Sequence, residues 1–188
     1  LPQMALINTA IEDDRLRLSA AGQGQVSLPL SSAGGVSSVA DSPVFTATVW
    51  RDHCDVIEAA AEASAWLNAA LRPPHPLRLV AMAPGQQRPQ SQPERFGRDN
   101  HTRFADAAPL LVANQDSLDA LNTELIRRGM QAVEMRRFRP NVVVSGVPAF
   151  AEHELVHGRR EDGLSLHLRD RCERCTIITV DPELGVAD

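Results

Sequence analysis

The chain has 188 residues, 43% of them hydrophobic, and a formal net charge of -5 at pH 7. That is enough for one full core or two small ones, and the sign excludes a general nucleic-acid binder. No stretch approaches the roughly 18 apolar residues of a bilayer span and no signal peptide is expected, so no membrane partner is expected either. There is no lysine, so all 19 fixed cations are arginines. Three cysteines, an odd number, argue against a disulfide framework and for the reducing cytoplasm.

Residues 1–50 read as short strands between turns, with candidates at 4–7, 16–18, 26–30 and 44–50, and Gly22, Gly24, Gly34 and Gly35 as punctuation. Residues 55–71 place Ile57, Ala60, Ala63, Leu67 and Leu71 on a helical stripe with Trp66 beside it as a core anchor. Pro73 and Pro74 stop that helix, because proline lacks the donor and clashes with the preceding turn. A strand is expected at 77–82. The stretch 84–102, rich in Gln, Pro and Arg, is the linker candidate, or a loop that orders over a ligand. The domain boundary is placed near Arg95, giving domains of 1–94 and 95–188.

Beyond it, a strand at 110–113 leads to a helix capped by Asp116 or Ser117, with Leu118, Leu121 and Leu125 at helical spacing. Gly129 sits where a helix C-terminus wants a left-handed residue. Strands are expected at 133–135, 142–144, 164–168 and 176–180, the last β-branched and buried. Two isolated helices among many strands point to a mainly β, α+β fold of small barrels rather than a doubly wound sheet.

The chemistry concentrates in Arg171-Cys172-Glu173-Arg174-Cys175. A thiolate is the nucleophile and metal ligand, and neighbouring guanidinium groups favour it. This Cys-x-x-Cys can be half of a zinc site, a redox dithiol, or two inert thiols. Arg136, Arg137 and Arg139 form a second cationic cluster suited to an anionic ligand or to a solvated edge. The pentapeptide His153-Glu154-Leu155-Val156-His157 satisfies the zincin pattern and would make the protein a zinc hydrolase. That pattern needs a sustained helix, whereas Pro148 precedes it, Gly158 ends it and Asp162-Gly163 turns the chain. His153 and His157 are therefore not expected to share a zinc ion.

Three motifs, in the family's order, resemble the MOSC domain, the C-terminal module of molybdenum cofactor sulfurases. They are Phe104-Ala105-Asp106-Ala107-Ala108-Pro109, Phe138-Arg139-Pro140-Asn141, and the segment from Cys172 through Cys175 to Asp181-Pro182. Ala47-Thr48-Val49-Trp50 and Ala65-Trp66-Leu67 are similar, more weakly, to the family's N-terminal β-barrel part. The resemblance implies a β-barrel MOSC domain packed on a smaller barrel-like domain. It also implies a chain cut at both ends, since family phosphate anchors lie upstream and further strands downstream.

In bacterial and amidoxime-reducing members of the family, a cysteine of this signature ligates molybdenum carried on a phosphorylated pterin. The resemblance assigns that role to Cys175, with flanking Arg174 aiding the thiolate. Arg139 and Asn141 fall on cofactor-lining positions, and Asp106 on the aspartate near the metal. The implied activity is reduction of N-hydroxylated compounds such as hydroxylamines and amidoximes. Electrons would come from a separate iron–sulfur, flavin or haem protein. The alternative within the family is a sulfur carrier bearing a cysteine persulfide in metal–sulfur cofactor assembly.

Overall fold

The computed structural model describes residues 1–30, 42–90, 92–98 and 100–187. Gly34 and Gly35 lie outside the described residues. The fold is α+β, mainly short strands with three α-helices among the described residues. It divides into one unit of Leu1–Arg88 with Asp181–Asp188 and a second of Pro89–Val180.

The first unit contains two antiparallel meanders. β1 (Asn8–Glu12), β2 (Arg15–Ser19) and β3 (Gln25–Pro29) form one. The β1–β2 turn is Asp13-Asp14, both left-handed at φ 49° and 55°. Two positive φ values in a two-residue loop match the strand twist, and aspartate tolerates them. β4 (Val44–Val49), β5 (Asp52–Glu58) and β6 (Val80–Met82) form the other.

β5 replaces the first turns of the helix expected over 55–71; Cys54 and Val56 alternate inward against β4, and pairing outweighs the helical stripe. The helix itself, α1 (Ala61–Leu71), starts six residues later than expected and ends at left-handed Arg72, just before the prolines. Trp66 is half-buried, its indole donating to the Gln23 carbonyl at 3.0 Å. Leu18, Leu28, Cys54, Val56, Ile57, Ala63 and Leu67 make the core. Each fully buried Val or Leu there contributes about 1.5–3 kcal/mol.

Residues 4–7 are not a strand. Pro2–Leu6 forms a 3₁₀ helix, begun by a proline whose φ is already set for it. The C-terminal turn rests on it. Asp181 Oδ1 accepts the Glu183 and Leu184 N–H groups at 2.8 and 2.9 Å, and Gly185 follows at φ 64°. A Cβ on Gly185 would lie 2.8 Å from Leu6 Cγ and 3.2 Å from Gln3 Cα. Gly185→Ala is expected to destabilise by roughly 2 kcal/mol, from the positive φ and the clash together. Thermal unfolding checks this, and an unchanged Tm would mean that the turn does not seat there.

The second unit is differently held. Among its described residues only Phe96 and Leu118 are buried apolar side chains, whereas Gln90, Thr102, Asn114 and Ser117 are buried polar ones. The described residues of the expected linker include short regular elements. β7 (Arg88–Pro89) straddles the division between the units, and α2 (Pro93–Phe96) and β8 (His101–Thr102) follow, with Arg88, Gln90, Phe96 and Thr102 buried.

β9 (Val112–Asn114), α3 (Gln115–Arg127) and β10 (Val142–Val144) form a strand–helix–strand unit whose strands pair in parallel, as a helical crossover permits. Asn114, rather than the expected Asp116 or Ser117, caps α3, because its side chain accepts the Asp116 N–H at 3.1 Å. Gly129 is left-handed at φ 75°, as its position after the helix requires. β11 (His157–Arg159) and β12 (Ser165–His167) make an antiparallel ribbon.

Two expected strands are not strands: residues 133–134 are irregular and lead into a 3₁₀ helix, Met135–Phe138, and a second 3₁₀ helix, Thr176–Thr179, replaces the strand expected over 176–180. The second is largely exposed rather than buried. Its β-branched residues meet no partner strand among the described residues, so local bonds decide: Val180 N–H to Ile177 O at 3.1 Å and Thr179 Oγ1 to Thr176 O at 2.8 Å. No described helix is long and apolar enough to cross a membrane.

Candidate functional site: the packed 3₁₀ turns and their arginines

The helices Met135–Phe138 and Thr176–Thr179 pack on one another, with Arg137 Nη1 donating to Ile178 O at 3.4 Å. Cys175 caps the start of the second, its thiol exposed and its carbonyl accepting the Ile178 N–H at 3.5 Å. Arg139 ends the first in the left-handed region, φ 53°, where its N–H closes onto Arg136 O at 3.1 Å. Its guanidinium stands on an exposed residue.

Arg174 links the two turns. Its Nη2 donates to Phe138 O at 2.5 Å, and its guanidinium lies 5.9 Å from the Phe138 ring centroid. Its Nη1 donates to Cys172 Sγ at 3.4 Å, so this cation reaches the first thiol of the pair. Cys172 is likewise exposed. Upstream of it, Asp170 pairs with Arg95 of α2.

Asn141 works on the backbone. Its Oδ1 accepts the Leu111 N–H at 2.8 Å, and its own N–H donates to Leu111 O at 2.9 Å. This clip brings the chain after Arg139 against the end of the Phe104-to-Leu110 loop. Asp106 lies in that loop and is exposed. The loop is held by Gln90, whose side-chain amide donates to the Ala107 carbonyl. The structure thus joins Arg139, Asn141, Arg174 and Cys175 through direct links between their segments. Asp106 belongs to the neighbouring loop.

One cluster was missed by sequence reasoning. Glu152 accepts Ser117 Oγ at 2.7 and 2.8 Å and Asn114 Nδ2 at 3.1 Å. Ser117 Oγ also accepts the Phe150 N–H at 2.7 Å, and Asn114 Nδ2 reaches the Val147 and Pro148 carbonyls. The signal was partial: Asn114 is a residue type that caps helices and stands four residues before Leu118, where the helical stripe begins. Burial pushes the Glu152 carboxyl up, but the bonds from Ser117 and Asn114, with its own backbone and His153, leave it below the usual range.

Because its folded pKa is depressed, Glu152 contributes stability that is present above the unfolded value of about 4.5. That contribution is lost as pH falls through the folded value. Glu152→Gln is therefore expected to be less stable than the parent at neutral pH, with the gap closing under acid. Urea midpoints measured across that range check it, and a gap independent of pH would refute it.

The zincin pentapeptide has no helix to stand on. Ala151–Glu154 is a 3₁₀ turn, Leu155 is extended at φ -69° and ψ 126°, and His157 already belongs to β11. His153 and His157 are both exposed.

Residues 99–187 match the family model described as MOSC domain. This part of the chain is therefore a MOSC domain, as its three motifs led one to expect. The chain is 32% identical to the mouse protein named mitochondrial amidoxime-reducing component 1 over 193 residues, 100% of this chain and 52% of that protein. The zebrafish and human proteins of that name are 30% and 31% identical, each over 98% of this chain and over 54% and 52% of their own length. The chain thus spans about half the length of the curated relatives it matches. A solution structure of a Bordetella bronchiseptica protein overlays on 44% of this chain and 59% of its own with a TM-score of 0.36, at 23% identity.

Proposed function

We propose that this chain is the cofactor-holding part of a molybdenum-dependent oxidoreductase that reduces N-hydroxylated compounds, hydroxylamines and amidoximes among them. The carrying observation is the exposed Cys175 thiol at the start of a 3₁₀ turn that is packed against the turn ended by Arg139 and tied to it through Arg174. A soft thiolate beside guanidinium donors suits a soft redox metal on an anionic, oxygen-rich pterin. When bound, that group supplies two-electron reduction.

In this reading Cys175 ligates the metal. Arg139 and Arg174 hold anionic or carbonyl oxygens of the cofactor. Asn141 lines it while keeping Leu111 in register, and Asp106 orients a water or relays a proton. Electrons come from a separate iron–sulfur, flavin or haem protein, and the substrate is a small molecule. The N-terminal barrel-like part would take residues 1–94 and the MOSC part 95–188. All three cysteines are free thiols, which supports a reducing compartment such as the cytoplasm.

The test is elemental analysis of the full-length protein from a molybdenum-replete host, with turnover of benzamidoxime under a chemical electron donor. The reading expects bound molybdenum and amidine formation. Protein without molybdenum that still turns over, or molybdenum without turnover, would overturn it. The sulfur-carrier reading draws on a different observation, the Arg174 guanidinium on the exposed Cys172 sulfur. A persulfide on either thiol of metal-free protein, detected by mass spectrometry, would favour it.

A further inference from the structure

The geometry points to a divalent transition-metal site on the β11–β12 ribbon, formed by His157 and His167. These two residues are direct cross-strand partners. The ladder bonds on either side fix which kind of pair they make. Leu168 N–H donates to Val156 O at 2.9 Å, and Arg160 N–H donates to Leu164 O at 2.8 Å. In an antiparallel ladder bonded and non-bonded pairs alternate, so with 156/168 and 160/164 bonded, 157/167 is a non-bonded pair. That is the closer class, with Cα atoms about 4.5 Å apart and side chains on one face.

Both histidines are exposed. Two imidazoles rooted this near one another on a paired backbone converge on one ion without ordering a loop. The second nitrogen then binds intramolecularly, at the effective concentration the ribbon sets.

Imidazole suits copper, nickel and zinc. Among the described residues there is no group of three or more metal-ligating side chains. Water therefore completes the shell, and the site exchanges its ion rather than locking it in. Arg159 and Ser165 occupy the next pair on the same face. The Arg159 cation weakens the attraction for a metal ion, which also argues for a labile site. Because the ion bridges both strands, its binding stabilises the ribbon. The site does not depend on the molybdenum reading and shares no residue with it.

Calorimetric titration with Ni²⁺, Cu²⁺ and Zn²⁺ at neutral pH tests the site. It uses tag-free full chain carrying Cys172→Ser and Cys175→Ser, so that the exposed thiols do not compete. The expected result is one ion per chain with copper bound most tightly, following the usual order for nitrogen ligands. His157→Ala and His167→Ala should each weaken binding by about tenfold or more, through loss of the intramolecular second ligand. His153→Ala should change nothing. All three positions are exposed, and circular dichroism verifies that each variant folds. Equal loss in His153→Ala and His157→Ala with none in His167→Ala would move the metal to the pentapeptide and overturn the inference. Unchanged binding in both ribbon variants, or no binding by the parent, would also overturn it.

Discussion

Cys175→Ala in the full-length protein is expected to strip bound molybdenum and lower N-hydroxylamine reduction by at least about a hundredfold. Cys172→Ala should retain measurable amounts of both. Exposure does not separate the two thiols, since both are exposed. Backbone does. Cys175 begins a turn that is packed on Met135–Phe138 and bonded through Arg137 to Ile178 O. A sulfur placed on so fixed a frame can hold a demanding coordination geometry. Cys172 lies in a stretch of irregular backbone, and its sulfur is taken by Arg174 Nη1 at 3.4 Å. Its loss frees Arg174 to shift, which costs affinity without removing a ligand. Metal content by mass spectrometry, with turnover under an artificial donor, decides the matter. Equal loss in both variants would argue for a dithiol or zinc role, and full activity in Cys175→Ala would remove the molybdenum reading.

What could be read from residues alone followed the strength of local determinants. β2, β3, β4 and β10 were legible because alternation or β-branching agreed with their pairing. The ends of α1 at Arg72 and α3 at Gly129 were legible because proline and glycine constrain the backbone wherever they stand. Composition misled where pairing was the deciding factor. Residues 55–58 fit a helical stripe but had β4 beside them, whereas 176–179 were β-branched but pair with no strand among the described residues. For the site, the MOSC motifs picked out Arg139, Asn141, Arg174 and Cys175, whose segments the fold does link. That Arg174 turns toward Cys172, and that Asn141 spends its carbonyl on Leu111, depends on contacts 30 or more residues apart or on rotamers. No local pattern carries that information.

The same dependence on distant polar contacts makes Asn114 the residue whose loss should cost the second unit most. It is 2% exposed, in a unit with few buried apolar side chains among its described residues to compensate. Its Oδ1 caps α3 at the Asp116 N–H. Its Nδ2 faces three acceptors, Val147 O at 3.0 Å, Pro148 O at 3.2 Å and Glu152 Oε2 at 3.1 Å. Asn114→Ala removes a cap worth about 1 kcal/mol and strands part-buried acceptors at about 1 kcal/mol or more each. A loss of roughly 3 kcal/mol is expected. Asn114→Ser keeps a capping oxygen but not the loop bonds, and should fall between parent and alanine. Asn114→Asp separates the two roles. Aspartate caps a helix as well as asparagine, but here its carboxylate would face the carboxylate of Glu152 and two carbonyl oxygens. If the clamp on residues 147–152 is the larger part, aspartate is the worst of the three. Urea unfolding with amide hydrogen exchange across residues 145–152 reads both effects, and an aspartate variant as stable as the parent would show that only the helix cap matters.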